Sequence, residues 1–150
     1  MEQSNMLKHY LTLGIISTTL LFNSCKKIVE RTQVGEFNLV NQTTHNISFD
    51  HPSFSFVISQ NSVFLLKQIQ ETSNKEVNTN NYTNPIMYEI GPVSSITIKF
   101  DGNKCLKMIR TSENSILNNS NYTSEKLAER TYKFTYTFTD ADYNRAVTCP

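Results

Sequence analysis

The clearest strand pattern in the chain is Tyr132-Lys133-Phe134-Thr135-Tyr136-Thr137-Phe138-Thr139. Aromatic residues occupy every second position, and Lys or Thr lies between them. Because successive side chains of a β-strand point to opposite faces of the sheet, a strand places the four aromatics on one face and polar groups on the other. Aromatic residues and Thr are also enriched in strands. We therefore predict a strand with one buried face near the end of the chain.

Upstream of this stretch, short apolar segments alternate with Asn-rich turns from Gly35 onward. The pattern is typical of an all-β domain and not of βαβ units. We predict further strands over residues 37–41, 47–49, 54–58, 62–67, 87–90, 96–100 and 105–109. The simplest architecture that buries their apolar faces is an antiparallel β-sandwich of about seven strands, immunoglobulin-like in general character.

Turn residues predict two hairpins. Asp101-Gly102-Asn103 gives the strongest hairpin signal in the chain, because Asp-Gly favours a tight turn between strands. A turn over residues 41–45 should join the first two strands in the same way. The contiguous apolar residues Val63–Leu66 predict a strand buried on both faces, with a short helix over residues 63–69 as the alternative.

Three connecting segments carry little strand signal. Residues 71–85 are polar, which predicts a mobile loop or a long hairpin connection. We expect one helical turn over residues 124–130, capped by Ser124. A second short helical turn should run from Asp140, as its cap, to Ala146, with Tyr143 folded back onto the sheet.

The N-terminal part of the chain has the order of a signal peptide. Leu11–Phe22 is an almost unbroken apolar run, preceded by Lys8 and His9. A helix of about 12 residues rises only about 18 Å, short of the roughly 30 Å hydrocarbon core of a bilayer. We therefore predict export and not a transmembrane helix.

The segment Leu21-Phe22-Asn23-Ser24-Cys25 resembles a lipobox, and the lysines that follow Cys25 make it similar to lipoproteins of Bacteroidetes-type bacteria. The ending Tyr132–Ala146 resembles that of small Bacteroidetes-type lipoproteins whose function is not established. The resemblance implies cleavage before Cys25 and acylation of that cysteine. The alternative is an ordinary secretory peptide cut elsewhere.

This interpretation divides the chain into a signal peptide over residues 1–24, a lipidated cysteine and tether over residues 25–34, and a single domain over residues 35–150. Surface-exported lipoproteins of Bacteroidetes-type bacteria tend to carry acidic residues after the cysteine, whereas Lys26 and Lys27 occupy those places here. We therefore expect a lipid anchor in the outer membrane, with the domain on its periplasmic face.

The remaining two of the three cysteines are Cys105 and Cys149. The cell envelope is oxidising, so a disulfide between them is one interpretation. In the other, Cys105 packs as a small apolar residue and Cys149 is a separate thiol.

Few residue patterns point to chemistry. The net charge of +1 is spread along the chain, which argues against nucleic acid as a partner. The spacing of Asp140, Asp142 and Asn144 opens a calcium loop but fails at Arg145, where that loop needs Gly. No G-x-S-x-G or phosphate-binding loop is present, so we predict no catalytic residues, no metal site and no cofactor.

A second metal candidate is the group His45, Asp50 and His51, whose side chains suit zinc. The group has neither a neighbouring cysteine nor the H-E-x-x-H spacing. We interpret these residues as ordinary turn residues.

Three function classes remain, of which a degenerate enzyme is the third. The first is a non-enzymatic, membrane-anchored binding module for an envelope protein partner, acting through loops or an open sheet edge. The alternative is a glycan-binding accessory lipoprotein, in which Tyr82, Tyr88 and Tyr122, in or beside loops, stack on sugar rings. Simple packing of these tyrosines is the competing interpretation.

Overall fold

The structure is a computed structural model and describes residues 30–150. The predicted signal peptide, the lipidation site at Cys25 and the first part of the tether lie outside the described residues. Arg31–Pro150 forms one compact unit. No helix in this part is long and apolar enough to span a membrane.

The described chain contains nine strands and two short helices. The strands are β1 (Arg31–Asn41), β2 (Ile47–Phe49), β3 (Phe56–Ile58), β4 (Val63–Thr72), β5 (Ser95–Phe100), β6 (Lys104–Ile109), β7 (Thr123–Ala128), β8 (Thr131–Phe138) and β9 (Val147–Thr148). The helices are α1 (Pro85–Ile90) and α2 (Asp140–Arg145), and 3-10 turns cover Thr79–Asn81 and Asn119–Asn121.

These strands form two sheets that pack together as an all-β sandwich, as predicted. The first sheet has four strands in the order β4-β1-β8-β7, and the second has five in the order β3-β2-β5-β6-β9. Neighbouring strands are antiparallel, except that β1 and β8 run parallel. The described sandwich therefore has nine strands and not about seven.

The alternation in β8 builds the centre of the core. Phe134, Tyr136 and Phe138 are buried, and the Thr residues between them lie on the outer face. The parallel register places Phe37 of β1 beside Phe134, with the two rings stacked 4.5 Å apart. Large side chains from the second sheet close the other side, namely Ile47, Ile58, Ile98, Phe100 and Met108.

The predicted hairpin of β5 and β6 is confirmed. Asp101 and Gly102 have φ values of 48° and 75°, and the Asn103 amide donates to the Phe100 carbonyl at 3.1 Å. Two consecutive positive φ values match the right-handed twist of paired strands, which is why Asp-Gly is favoured there.

The structure also contains the disulfide between Cys105 and Cys149. The two sulfur atoms are bonded, and the Cα atoms lie 4.9 Å apart. Cys149 lies directly after β9, so the bond fastens the C-terminus to β6.

The predicted hairpin of β1 and β2 is wrong, because these strands lie in different sheets. The side-chain amide of the buried Asn41 lies within 2.7–3.1 Å of the main-chain oxygens of His45, Ile58 and Ser59. These bonds hold the point where the chain crosses from one sheet to the other. β1 also begins at Arg31, so residues 31–34 belong to the sheet and not to the tether.

β4 is a strand, so the alternative helix is wrong, but it is not buried on both faces. Its residues alternate between half-buried and exposed along its whole length. The second sheet covers one face of the first sheet, and the other face of β4 lies in solvent.

Two further predictions are corrected. Residues 87–90 are the end of α1 and not a strand, because Pro85 follows Asn84, whose side chain accepts from the Ile86 amide at 3.0 Å and starts a helix. Residues 124–128 form β7 and not a helical turn, because they pair with β8.

The segment over residues 71–85 has more secondary structure and more buried residues than predicted. It contains a 3-10 turn and the buried residues Val77, Tyr82 and Asn84. The predicted turn before Ala146 is the helix α2, with Thr139 and not Asp140 as its cap residue. Tyr143 packs against Phe100, as predicted.

Candidate functional site

Four strands form the edges of the two sheets, and three of them are protected. β3 and β9 contain only three and two residues. β7 carries charged residues and has a register shift between Lys126 and Ala128. Short strands, charges and bulges are the usual means by which proteins block pairing with another chain.

β4 is the longest of the four edges, and α1 lies beside its residues 67–70. The strand β4 contains ten residues and pairs with β1 without a register shift. An edge strand leaves main-chain N–H and C=O groups unpaired on its outer side. Among the described residues, no main-chain hydrogen bond joins β4 to an element other than β1.

Three of the five exposed residues of β4 are apolar. Val63, Leu65 and Ile69 are 57%, 52% and 64% exposed. We call these three residues the apolar edge stripe. Val40 and Val34 stand opposite Val63 and Ile69 on β1 and continue the apolar surface inward.

A row of alternating charges crosses the same face. Lys67 of β4 stands opposite Glu36 of β1, which stands opposite Lys133 of β8, which in turn faces Glu125 of β7. Nζ of Lys67 lies 3.8 Å from Oε1 of Glu36, and Nζ of Lys133 lies 2.5 Å from Oε2 of Glu125. Lys67 ends the row at the open edge of β4, with its side chain half exposed.

A groove of about 330 Å³ runs between β4 and α1. It is lined by Lys67, Gln68, Ile69, Gln70, Thr83, Pro85, Tyr88 and Glu89. Tyr88 is 76% exposed, and Oε1 of Gln68 is buried without a hydrogen-bond partner. The groove thus offers main-chain groups and an aromatic ring to an extended segment.

Asn84 positions α1 beside β4. Its side-chain amide donates to the Ile116 carbonyl at 2.6 Å, while its oxygen caps the helix. Ile86, the second residue of α1, is fully buried in the core. One wall of the groove is therefore fixed to the core.

Tyr82 and Tyr122 are not available to a sugar, so the predicted stacking role is wrong. They are 3% and 8% exposed, and their hydroxyls donate to the carbonyls of Arg130 and Ile116 at 2.9 and 2.7 Å. A Cβ on Gly35 would lie 2.9 Å from the Tyr82 ring, which shows how closely that ring packs on β1. Burial raises the pKa of both phenols above the usual value.

His45 lies in the turn between β1 and β2. Its Nδ1 lies 2.6 Å from Oδ2 of Asp101, and its ring stacks on Tyr143 with centroids 3.6 Å apart. The hydrogen bond from His45 lowers the pKa of Asp101. Residues 30–150 contain no group of three or more His, Cys, Asp or Glu side chains that could hold a metal.

The last candidate ligands, Asp140, Asp142 and Asn144, lie on α2. Asp142 is buried, accepts from the Thr139 amide at 2.9 Å and pairs with Arg145. These contacts stabilise the first turn of α2, so the carboxylate of Asp142 has a structural role.

No family model, curated protein or solved structure matches this chain. The candidate site therefore rests on the geometry of β4 and α1.

Sequence reasoning predicted a strand at residues 62–67 but missed its exposed face. Val63, Leu65 and Lys67 have the spacing of one strand face, and a lysine on that face indicates solvent. The contiguous apolar residues Val63–Leu66 were instead interpreted as a strand buried on both faces.

Proposed function

We propose that the protein is a non-enzymatic, lipid-anchored binding module of the cell envelope that adds a strand of a protein partner to β4. The observation that carries the proposal is the ten-residue open edge with its exposed apolar stripe. The three other edges of the described sheets are short or interrupted.

Strand addition uses both properties of this edge. Main-chain hydrogen bonds supply affinity, and alternate side chains of the added strand supply specificity. Fully burying an aliphatic side chain is worth about 1.5–3 kcal/mol, so covering part of the stripe contributes a few kcal/mol. The charge of Lys67 between Leu65 and Ile69 restricts which segments fit.

The anchor of the proposed module is lipid on Cys25, in the outer membrane and facing the periplasm. Five residues separate Cys25 from Arg31, where β1 begins. Such a segment spans at most about 20 Å between its flanking residues, which keeps the domain close to the lipid surface. A multiply acylated cysteine holds far more firmly than a single myristoyl chain.

Glycan binding, the alternative function, has less support. Two of the three tyrosines on which it depended, Tyr82 and Tyr122, are buried in the core. Tyr88 in the groove is exposed, but it stands beside a sheet edge that can itself pair with a polypeptide.

A photo-crosslinking side chain at position 65 tests the binding edge. The full-length protein is expressed in its native envelope, and position 127 on the opposite edge serves as the control, because Leu127 is 47% exposed against 52% for Leu65. We expect a protein adduct of defined mass from position 65 alone, lost when Ile69→Glu is added. Equal adducts from both positions, or none, would contradict the proposal.

The variant Cys25→Ala tests the anchor. We expect the protein to move from the detergent phase to the aqueous phase on phase separation. A variant that stays in the detergent phase would overturn the assignment of Cys25.

A further inference from the structure

We infer that the strand that β4 accepts is β4 of a second copy, paired antiparallel about a two-fold axis at Ile69. This inference rests on the proposed function, because it names the partner of the same edge. The order of charges along β4 and across the first sheet supports this pairing.

The sequence of β4 is complementary to itself about Ile69. In an antiparallel two-fold pairing, residues at equal distances before and after the axis stand opposite each other. Lys67 of one copy then faces Glu71 of the partner subunit, and Glu71 faces Lys67 of the partner subunit. The two Ile69 side chains meet at the centre and bury the most exposed residue of the apolar edge stripe.

Neighbouring registers are less favourable. An axis at Lys67 places the two lysines opposite each other, and like charges in that position are destabilising. An axis at Gln68 places Lys67 opposite an isoleucine and Glu71 opposite a leucine. An axis between two residues would pair the apolar face of one copy with the core face of the other.

The second copy also continues the row of charges. Glu125, Lys133, Glu36 and Lys67 alternate in sign across the four strands, and the next charge in this register is the acidic Glu71 of the partner subunit. Lys67 then has a carboxylate on each side.

On the core-facing side of the edge, this register places Gln68 opposite Gln70 of the partner subunit. Both side chains are uncharged, so this side adds no repulsion between like charges.

Confinement to a membrane favours such a pairing. A single added strand is a small interface, so the free domains should associate weakly. Anchored copies share a thin layer at the membrane surface, which raises their effective concentration.

Engineered cysteines in the full-length, membrane-bound protein test the inference. Ile69→Cys places two thiols at the axis, where opposite residues of a sheet lie about 4.5–5.5 Å apart and can form a disulfide. Val63→Cys is the matched control, because it lies on the same face with similar exposure but far from its symmetry mate. We expect a reducible dimer from Ile69→Cys and a monomer from Val63→Cys.

A charge exchange tests the register. In the Ile69→Cys background, Lys67→Glu or Glu71→Lys should each lower the dimer yield about fivefold or more, because two favourable pairs become two repulsive ones. The double variant Lys67→Glu/Glu71→Lys should restore the dimer. Equal crosslinking of both cysteine variants, or a double variant that stays monomeric, would overturn the inference.

Failure of this inference is distinguishable from failure of the proposed function. If Ile69→Cys stays monomeric while the photo-crosslinker at position 65 captures another protein, self-pairing is wrong and strand addition stands. If neither experiment gives a product, both are wrong.

Discussion

At the scale of single residues, the hydrogen bonds of one buried side-chain amide stabilise the fold. Asn41 is fully buried, and its side chain satisfies main-chain oxygens of two different loops. Its own oxygen accepts from the amide and the hydroxyl of Thr43 at 2.9 and 2.8 Å. The crossing between the two sheets thus depends on one polar side chain.

The variant Asn41→Leu tests that dependence. It leaves several buried polar groups without partners, so we expect the free energy of unfolding to fall by about 3 kcal/mol or more. Urea denaturation measures the change. Asn38→Leu, on the outer face of the same strand, should alter stability by only about 0.5 kcal/mol.

Asp101 gives the stability of the domain a pH dependence. Its pKa in the folded state is lowered by the hydrogen bond from His45. The stabilisation is therefore complete above the unfolded-state pKa of about 3.9 and is lost as the pH falls through the lower folded-state pKa.

The corresponding measurement compares the unfolding midpoints of the native chain and Asp101→Asn. We expect the variant to be less stable at pH 6 and the difference to shrink below pH of about 3.9. A difference that stays constant down to pH 2 would contradict a role for the ionised carboxylate.

At the scale of elements, β4 has two faces with opposite properties. Leu66 packs against the core, and its neighbour Leu65 lies in the apolar edge stripe. We expect Leu66→Ala to lower the free energy of unfolding by about 2 kcal/mol and Leu65→Ala by well under 1 kcal/mol. Equal losses on denaturant unfolding would mean that β4 is covered on both faces.

Local sequence signals predicted some elements and not others. β8 and the hairpin of β5 and β6 have alternation and turn residues that act over a few positions, so they were predictable. β7 contains Glu125, Lys126 and Ala128, which are depleted in strands. It is nevertheless a strand because it pairs antiparallel with β8. The start of α1 was signalled by Asn84 and Pro85, but the apolar spacing after them was misinterpreted.

The candidate site was predictable only in part. That an open sheet edge binds a partner was a hypothesis from the sequence, whereas the choice of β4 depends on strand order. Strand order is set by contacts between distant segments, such as the parallel pairing of β1 with β8. Tyr82 and Tyr122 were misassigned because their rings pack against Phe134 and Phe37 of the first sheet, contacts that the neighbouring loop residues do not reveal.

At the scale of the whole molecule, the disulfide closes a large loop. Cys105 and Cys149 are separated by 44 residues, and a crosslink of that span stabilises a domain by up to about 4 kcal/mol in the chain-entropy description. We expect the double variant Cys105→Ala/Cys149→Ser to lose about 2–4 kcal/mol in urea denaturation. Adding reductant should destabilise the native chain equally and leave the variant unchanged.

The same bond has a practical consequence for handling the protein. The Cys149 amide donates to the Asn103 carbonyl at 2.9 Å, so the last residues stay at the β9 edge of the second sheet. β3, at the other edge of that sheet, is the strand that approaches β4. A tag fused after Pro150 is therefore attached at the edge of the second sheet that lies away from β4. If the domain is immobilised on a biosensor by that tag, the binding edge stays accessible to analyte.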